Sequence, residues 1–398
     1  MILTNGGEIY ETNYLLFYYN SNTNKYYYAD QASEINDQII SGHNSVIAGY
    51  TEDKNGCVYQ YHKNNSTSDG SSSTRENFIF YYKNDSNLGP YATNFTDDSV
   101  KDPLYFDDST NSLWIGGYDS SSGELKLLQI TEPSTNFISA DLSNLYSTGF
   151  SVSGATYTAF AIQGSDIYIA YTNSGTSYLQ RGTITGSNDS GFSITAKGTA
   201  QSTEQMYVAG TINDIAILYD GYVYVLVSDR EKLNGSAIND GDTVKSRGAI
   251  LKILGTDSGF EVEDILGWTN SARPIKSKKL NDENNPYNGV SEQIDSINAY
   301  IPALSESSKK FYGAERFVAI KPKELAIADC GANIILPDYK NKKNGNMFQH
   351  DRVVTVNLYD FAITNVTELN NLDFKSLSIS GVISYIYTFT SSDSSDEE

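Results

Sequence analysis

The chain has 398 residues, with 49 acidic and 28 basic side chains and a formal net charge of −21. So acidic a surface excludes a duplex nucleic-acid binder, which needs a basic face to displace counterions from phosphate. Two cysteines in this length exclude a disulfide scaffold, and no apolar run approaches the ~18–20 residues of a membrane-spanning helix.

Hydrophobic residues make up 39% of the chain, which is enough for a packed core. Tyrosine is abundant at 31 and proline scarce at 8. Tyr favours a pleated, half-buried surface, and Ser, Thr, Asn and Gly fill the gaps between the apolar runs. Many short strands joined by polar turns are therefore predicted, not a helical bundle. At ~100–200 residues per domain the length suggests two or three domains, unless one closed all-β architecture absorbs it.

In chain order, Met1 to Gly7 carries no basic residue, and the first comes at Lys25, so the start does not read as a secretory signal. The expected location is nonetheless extracellular or in the cell envelope, after removal of a leader, with membrane attachment only through a removed lipid anchor. A cytoplasmic location is the alternative. Strand-like runs follow at Tyr14–Tyr19, Cys57–Tyr61, Leu113–Gly117, Ile167–Tyr171, Tyr222–Val227 and Glu324–Asp329. Three of these lead through a turn or loop into a partner strand at Leu125–Ile130, Tyr178–Ile184 and Ala249–Leu254.

The spacing of these runs is regular. Leu16, Val58, Leu113, Ile167, Val223 and Leu325 are separated by 42, 55, 54, 56 and 102 residues, the last close to twice the others. A period near 50 with several strands per unit indicates radial β-architecture. The prediction is an all-β propeller of about seven blades, with six or eight as alternatives and one station missing near 274. A single domain over 1–390 is expected, with insertions near 273–310 and 332–351 and a short helix within Ser291–Ala299. The C-terminal run Leu377–Thr390 forms a strand that would be exposed at an edge unless it pairs near the N-terminus, closing the ring. The acidic residues 391–398 are expected to be disordered.

The segment Glu315–Asn333, with a strand, a Lys-Pro turn, a second strand and then Ala328-Asp329-x-Gly331-x-Asn333, resembles an NHL-type propeller blade. The Arg-Val pair that opens the next strand in such blades is matched by Arg352-Val353 only after an intervening segment. By this resemblance the chain is similar to the propeller-bearing surface lipoproteins of host-associated bacteria, which implies an exported binding scaffold.

No catalytic, cofactor-binding or metal-ligating residue is assigned. His43, His62 and His350 lack metal-ligand spacing, and Cys57 and Cys330 are too far apart in sequence to form a zinc pair. Two separate thiols are favoured over a disulfide. There is no Gly-x-Ser-x-Gly elbow, and Gly116-Gly117 lacks the Lys and helix of a phosphate loop. Asp119–Glu124 and Asn239–Asp242 offer oxygens to calcium, but ordinary acidic turns are expected there. Asp329 reads as a turn residue, and the cations Arg273, Lys276, Lys278 and Lys279 as a solvated loop. Tyr26–Tyr28, Tyr81-Tyr82 and Trp268 could stack on sugars, yet packing between blades is the expected use. The leading function is a non-catalytic scaffold binding protein or glycan through the loops Asp229–Arg247, Arg273–Lys310 and Ala332–Asp351. The alternative is a propeller glycoside hydrolase or lyase with paired carboxylates at the central channel.

Overall fold

The computed structural model describes residues 2–5, 16–20, 25–29, 45–64, 77–83, 86–87, 91–93, 95, 97–218, 220–230, 232–234, 243–244, 246–267, 273–274, 311, 313–321, 323–330, 333–337, 344–348, 351–368 and 382–386. Five antiparallel sheets of the same design follow one another along the chain. Blade 1 comprises Ser45–Glu52, Val58–Asn64 and Asn77–Lys83, edged by the short Ser86–Asn87 and Tyr91–Thr93. Blade 2 is Asp98–Asp107, Ser112–Asp119, Glu124–Thr131 and Tyr146–Ser151. Thr156–Gln163, Asp166–Asn173, Thr176–Ser187 and Gly191–Ser202 make blade 3. Blade 4 contains Thr211–Ile217, Tyr222–Arg230, Ser246–Thr256 and Gly259–Leu266. Ala314–Lys321, Glu324–Cys330, Asp351–Asn357 and Ala362–Glu368 form blade 5.

Within each blade spatial order follows chain order, and the first strand of each touches the first strand of the next. The first strands are thus innermost, and the chain is a β-propeller. Successive blades are joined by apolar layers, because alternate residues of one strand point to opposite faces. In blade 2, Leu113 and Ile115 pack with Tyr59 and Ile79 of blade 1, while Trp114 faces Tyr157 and Ile162 of blade 3. In blade 4, Val223 and Val225 meet Ala159 and Tyr168 of blade 3, whereas Tyr224 and Leu226 meet Leu325 and Val354 of blade 5. A sheet buried on both faces reads as a nearly continuous apolar run, which is why these second strands stand out in the sequence.

The regular stations Val58, Leu113, Ile167, Val223 and Leu325 accordingly lie on second strands, not on the first strands of their units. Leu16 begins Leu16–Asn20, which pairs with Lys25–Ala29. Near the missing station, the two-residue strand Arg273–Pro274 pairs with Thr243–Val244. The helix expected at 291–299, most of the insertion around it and the acidic tail lie outside the described residues.

Gly116-Gly117 serves packing. A Cβ at Gly116 would lie 2.4 Å from the Phe160 ring of blade 3, so only glycine lets the two blades approach this closely. Turn carboxylates add polar stitches. Asp107 accepts the N–H of Ser109 at 2.9 Å within its own turn and that of Gly164, in blade 3, at 3.0 Å.

The two chain ends meet. Ile2–Asn5 pairs antiparallel with Val382–Ile386, the former touching the inner strand of blade 1 and the latter that of blade 5. This is the pairing of termini read from the sequence. Alternating strand direction puts the second-to-third and fourth-to-first connections on one face. Val152 N–H donates to the Gly123 carbonyl at 3.0 Å, joining two such connections. The strands that flank 231–245, 267–313 and 331–350 end and resume at this face. Segments of two of these connections combine: Lys232–Asn234 pairs in parallel with Asn333–Pro337, which pairs with Asn344–Phe348.

Candidate active site

The inner strands are bulged. Register slips occur opposite the second strand between Ile47 and Gly49, between Tyr157 and Ala159, between Ile212 and Asp214, and between Ala314 and Arg316, with a larger one at 100–103. A bulge bends the strand and re-aims side chains, and here it turns polar residues toward the axis. Lys101 and Asp102 come from blade 2, Asn213 and Asp214 from blade 4, and Glu315 and Arg316 from blade 5. All lie in the first halves of their strands or, for Asp214, at the midpoint, toward the ends that meet the face with the long connections.

These residues bond to one another across the axis. Arg316 forms a buried ion pair with Asp102 and donates to the Asn213 carbonyl at 3.1 Å. Lys101 Nζ, with its side chain 42% exposed, reaches Glu315 at 3.0 Å and Asn213 Oδ1 at 2.9 Å. Asn213 Nδ2 donates to the Ala314 carbonyl at 3.1 Å, and Phe317 N–H to Asp214 Oδ2 at 2.8 Å. Asp102 and Arg316 are 214 positions apart in the chain, so this contact exists only because the blades surround an axis.

Burial sets the electrostatics. Removal from water pushes the Asp102 carboxyl up to about 8, with Arg316 pulling it back and Asp214 adding to the rise. Asp214 is likewise raised by burial, to about 6, opposed by Arg316 and by the N–H groups of Phe317 and Ile215. One carboxyl near neutrality and another above it provide acid–base groups with distinct working ranges.

The residues singled out in the sequence fall elsewhere. Asp329 is not in a turn: it is fully buried within the strand Glu324–Cys330 and accepts the Gly313 N–H at 2.7 Å, tying the second strand of blade 5 to the residue just before the first. Asp119 accepts the N–H and hydroxyl of Ser121 and the Ser122 hydroxyl, which lower its carboxyl to about 2. Among the described residues no group of three or more His, Cys, Asp or Glu is placed to hold a metal ion. Cys57 is a buried thiol that accepts the Tyr81 hydroxyl. Tyr81 itself stacks on Tyr59 at 5.1 Å in the layer between blades 1 and 2, so its ring is packing. Residues 239–242, Lys276, Lys278, Lys279, Trp268, His43 and His350 lie outside the described residues, as do the side chains of Tyr26–Tyr28, Tyr82, His62 and Cys330.

The axial residues escaped sequence reading because their contacts are long-range. The one local trace is polar residues interrupting a strand just before a strong station, as Asn213-Asp214 do before Tyr222–Val227.

No family model matches the chain, and no curated protein matches it. Among solved structures it is similar to the dihydro-heme d1 dehydrogenase NirN, at 10% identity and a TM-score of 0.32, over 92% of this chain and 72% of that one. It is similar to a proposed glycosidase from Bacteroides thetaiotaomicron at 8% identity and a TM-score of 0.33, over 87% and 96%. It is also similar to a GH43 glycoside hydrolase engineered for endo-xylanase and exo-arabinofuranosidase activity, at 13% identity and a TM-score of 0.31, over 83% and 69%. At TM-scores this low, these likenesses carry no inference about activity.

Proposed function

We propose that the chain is a glycoside-cleaving enzyme whose carboxyl groups act at the propeller axis. The observation that carries this reading is the meeting of Asp102, Asp214 and Glu315, one from each of three inner strands, beside Lys101 and Arg316. Cleavage of a glycosidic bond needs one carboxyl to protonate the departing oxygen and a second on the other side of the sugar ring. Asp214, raised to about 6 and half-buried, is the proton donor. Glu315, fixed by Lys101, accepts the proton of the water that adds to the anomeric carbon as the carbon–oxygen bond breaks. Asp102 and Arg316 are positioning residues that hold the field around Asp214.

The expected result is hydrolysis, read as released reducing sugar, of at least one polysaccharide in a panel. Asp214→Asn lowers the rate by about 10²–10⁴-fold, the usual contribution of a positioned acid. The donor must be protonated, so kcat/KM falls as pH rises through about 6. Equal hydrolysis by wild type and Asp214→Asn would contradict the assignment.

A second reading is the non-catalytic scaffold that binds protein or glycan on the long-connection face. One observation favours it: the bonds of Lys101, Asp102 and Arg316 tie blades 2, 4 and 5 together, as a structural knot would. On that reading no polysaccharide is cleaved, and Asp214→Asn alters stability alone.

A further inference from the structure

Resting on the reading of a glycan-cleaving axis, we infer that Tyr207 is a sugar-stacking platform beside it, which positions the substrate. Tyr207 is 78% exposed, yet its neighbours Met206 and Val208 are 0% and 3% exposed and belong to the core between blades 3 and 4. An aromatic ring presented to water between two anchored residues is held rigidly and loses little freedom on stacking.

The backbone strengthens the point. Tyr207 has a φ of 65°, a left-handed conformation that is a genuine outlier for a bulky side chain. The turn enforces it: Met206 N–H donates to the Thr203 carbonyl at 3.1 Å, Tyr207 N–H to the Glu204 carbonyl at 3.1 Å, and Val208 N–H to the Thr203 carbonyl at 3.0 Å. The Thr203 hydroxyl adds a bond to the Gly210 carbonyl at 3.2 Å. Strain that the surroundings over-determine, around a solvent-facing ring, is characteristic of a binding feature.

Placement selects the ligand. The turn is a fourth-to-first connection, so it lies on the same face as the ends of the inner strands that carry the carboxyls. It runs directly into Thr211–Ile217, and Tyr207 precedes Asp214 by seven positions. Even fully extended, that length of chain reaches only about 25 Å. A saccharide chain held at the axis can therefore extend to the ring. Among the described residues the other large exposed apolar side chains, Ile138, Leu254, Ile320 and Tyr359, sit on or beside connections of the opposite face.

The test uses Asp214→Asn as a binding-competent background and affinity electrophoresis through gels containing soluble xylan, arabinan, pectin or mixed-linkage glucan. Asp214→Asn should be retarded by at least one polysaccharide. Adding Tyr207→Ala should weaken that retardation at least tenfold, while Tyr207→Phe should preserve it. The urea midpoint of Tyr207→Ala should be no lower than that of the parent, since nothing buried is lost. Equal retardation with and without the ring, or no retardation in any gel, would overturn the platform. Failure of the wild type to hydrolyse any of these polymers counts against the enzymatic reading instead, and a ring-dependent shift would then still support the platform.

Discussion

Replacing Asp102 by Asn should lower the stability of the chain by about 3–5 kcal/mol at pH 9, where the carboxyl held up to about 8 is ionised, the cost of leaving one member of a buried ion pair without its partner. The member left behind is Arg316, only 4% exposed, whose guanidinium cannot shed its proton. Arg316→Met should cost less, because the remaining carboxyl can escape its charge by binding a proton. Burial holds Asp102 up to about 8 even with Arg316 pulling it down, so once Arg316 is gone its neutral form is within reach at pH 9. The two substitutions are therefore unequal. Combining Arg316→Met with Asp102→Leu should recover much of the loss of Asp102→Asn, since an apolar pair leaves no buried charge. Urea midpoints of the four proteins check the order.

The pH dependence has a definite sign. Asp102 and Asp214 have folded values of about 8 and about 6, both above the ordinary 3.8. The native state therefore binds more protons than the unfolded chain between these limits. The contribution of these two groups is fully present below about pH 4 and is lost as pH rises through 6 and then 8. For Arg316→Met the deficit should be smallest near pH 5 and grow toward pH 9. A deficit that shrank with rising pH would be inconsistent with a buried, uncompensated carboxyl.

The second large effect is expected at Phe137. This residue opens the one-turn 3₁₀ helix Phe137–Ser139 between the third and fourth strands of blade 2. Its ring nonetheless belongs to the layer shared with blade 1, 5.3 Å from Tyr59, 5.3 Å from Tyr81 and 5.4 Å from Tyr91. Phe137 is 1% exposed, so truncation leaves a cavity among rings that cannot collapse to fill it. Phe137→Ala should cost about 3–5 kcal/mol, against less than about 0.5 kcal/mol for Tyr359→Ala at a 96% exposed turn position. Thermal melts of the two variants would show the contrast. Comparable losses would mean that blade 2 does not lean on blade 1 through this ring.

What the sequence discloses and conceals follows from burial. Val223, Val225, Leu251 and Ile253 lie in a sheet covered on both faces, so their strands are continuous apolar runs and the repeat of about fifty residues is visible. The inner strands obey another rule. Each has a bulge, and polar residues such as Asp102, Asn213, Asp214 and Arg316 sit where an apolar pattern would otherwise continue. They read as interruptions, so the stations that carry the repeat fall on the second strands. The candidate site was hidden for the same reason. Its acids lie in three segments whose proximity depends on closure around an axis, and no local spacing records that. Departures from local pattern tend to collect at functional positions, and here they collect at the axis.

The most direct measurement of that convergence is zero-length carbodiimide cross-linking followed by peptide mass spectrometry. Lys101 and Glu315 lie 3.0 Å apart across the axis although 214 positions separate them, and the Lys126–Asp97 pair at 2.7 Å within blade 2 supplies a positive control. An amide joining the peptides that contain Lys101 and Glu315, formed at low protein concentration and lost in Glu315→Gln, is the result expected. A protein that forms the Lys126–Asp97 link but never the Lys101–Glu315 link would contradict an axis where blades 2, 4 and 5 meet.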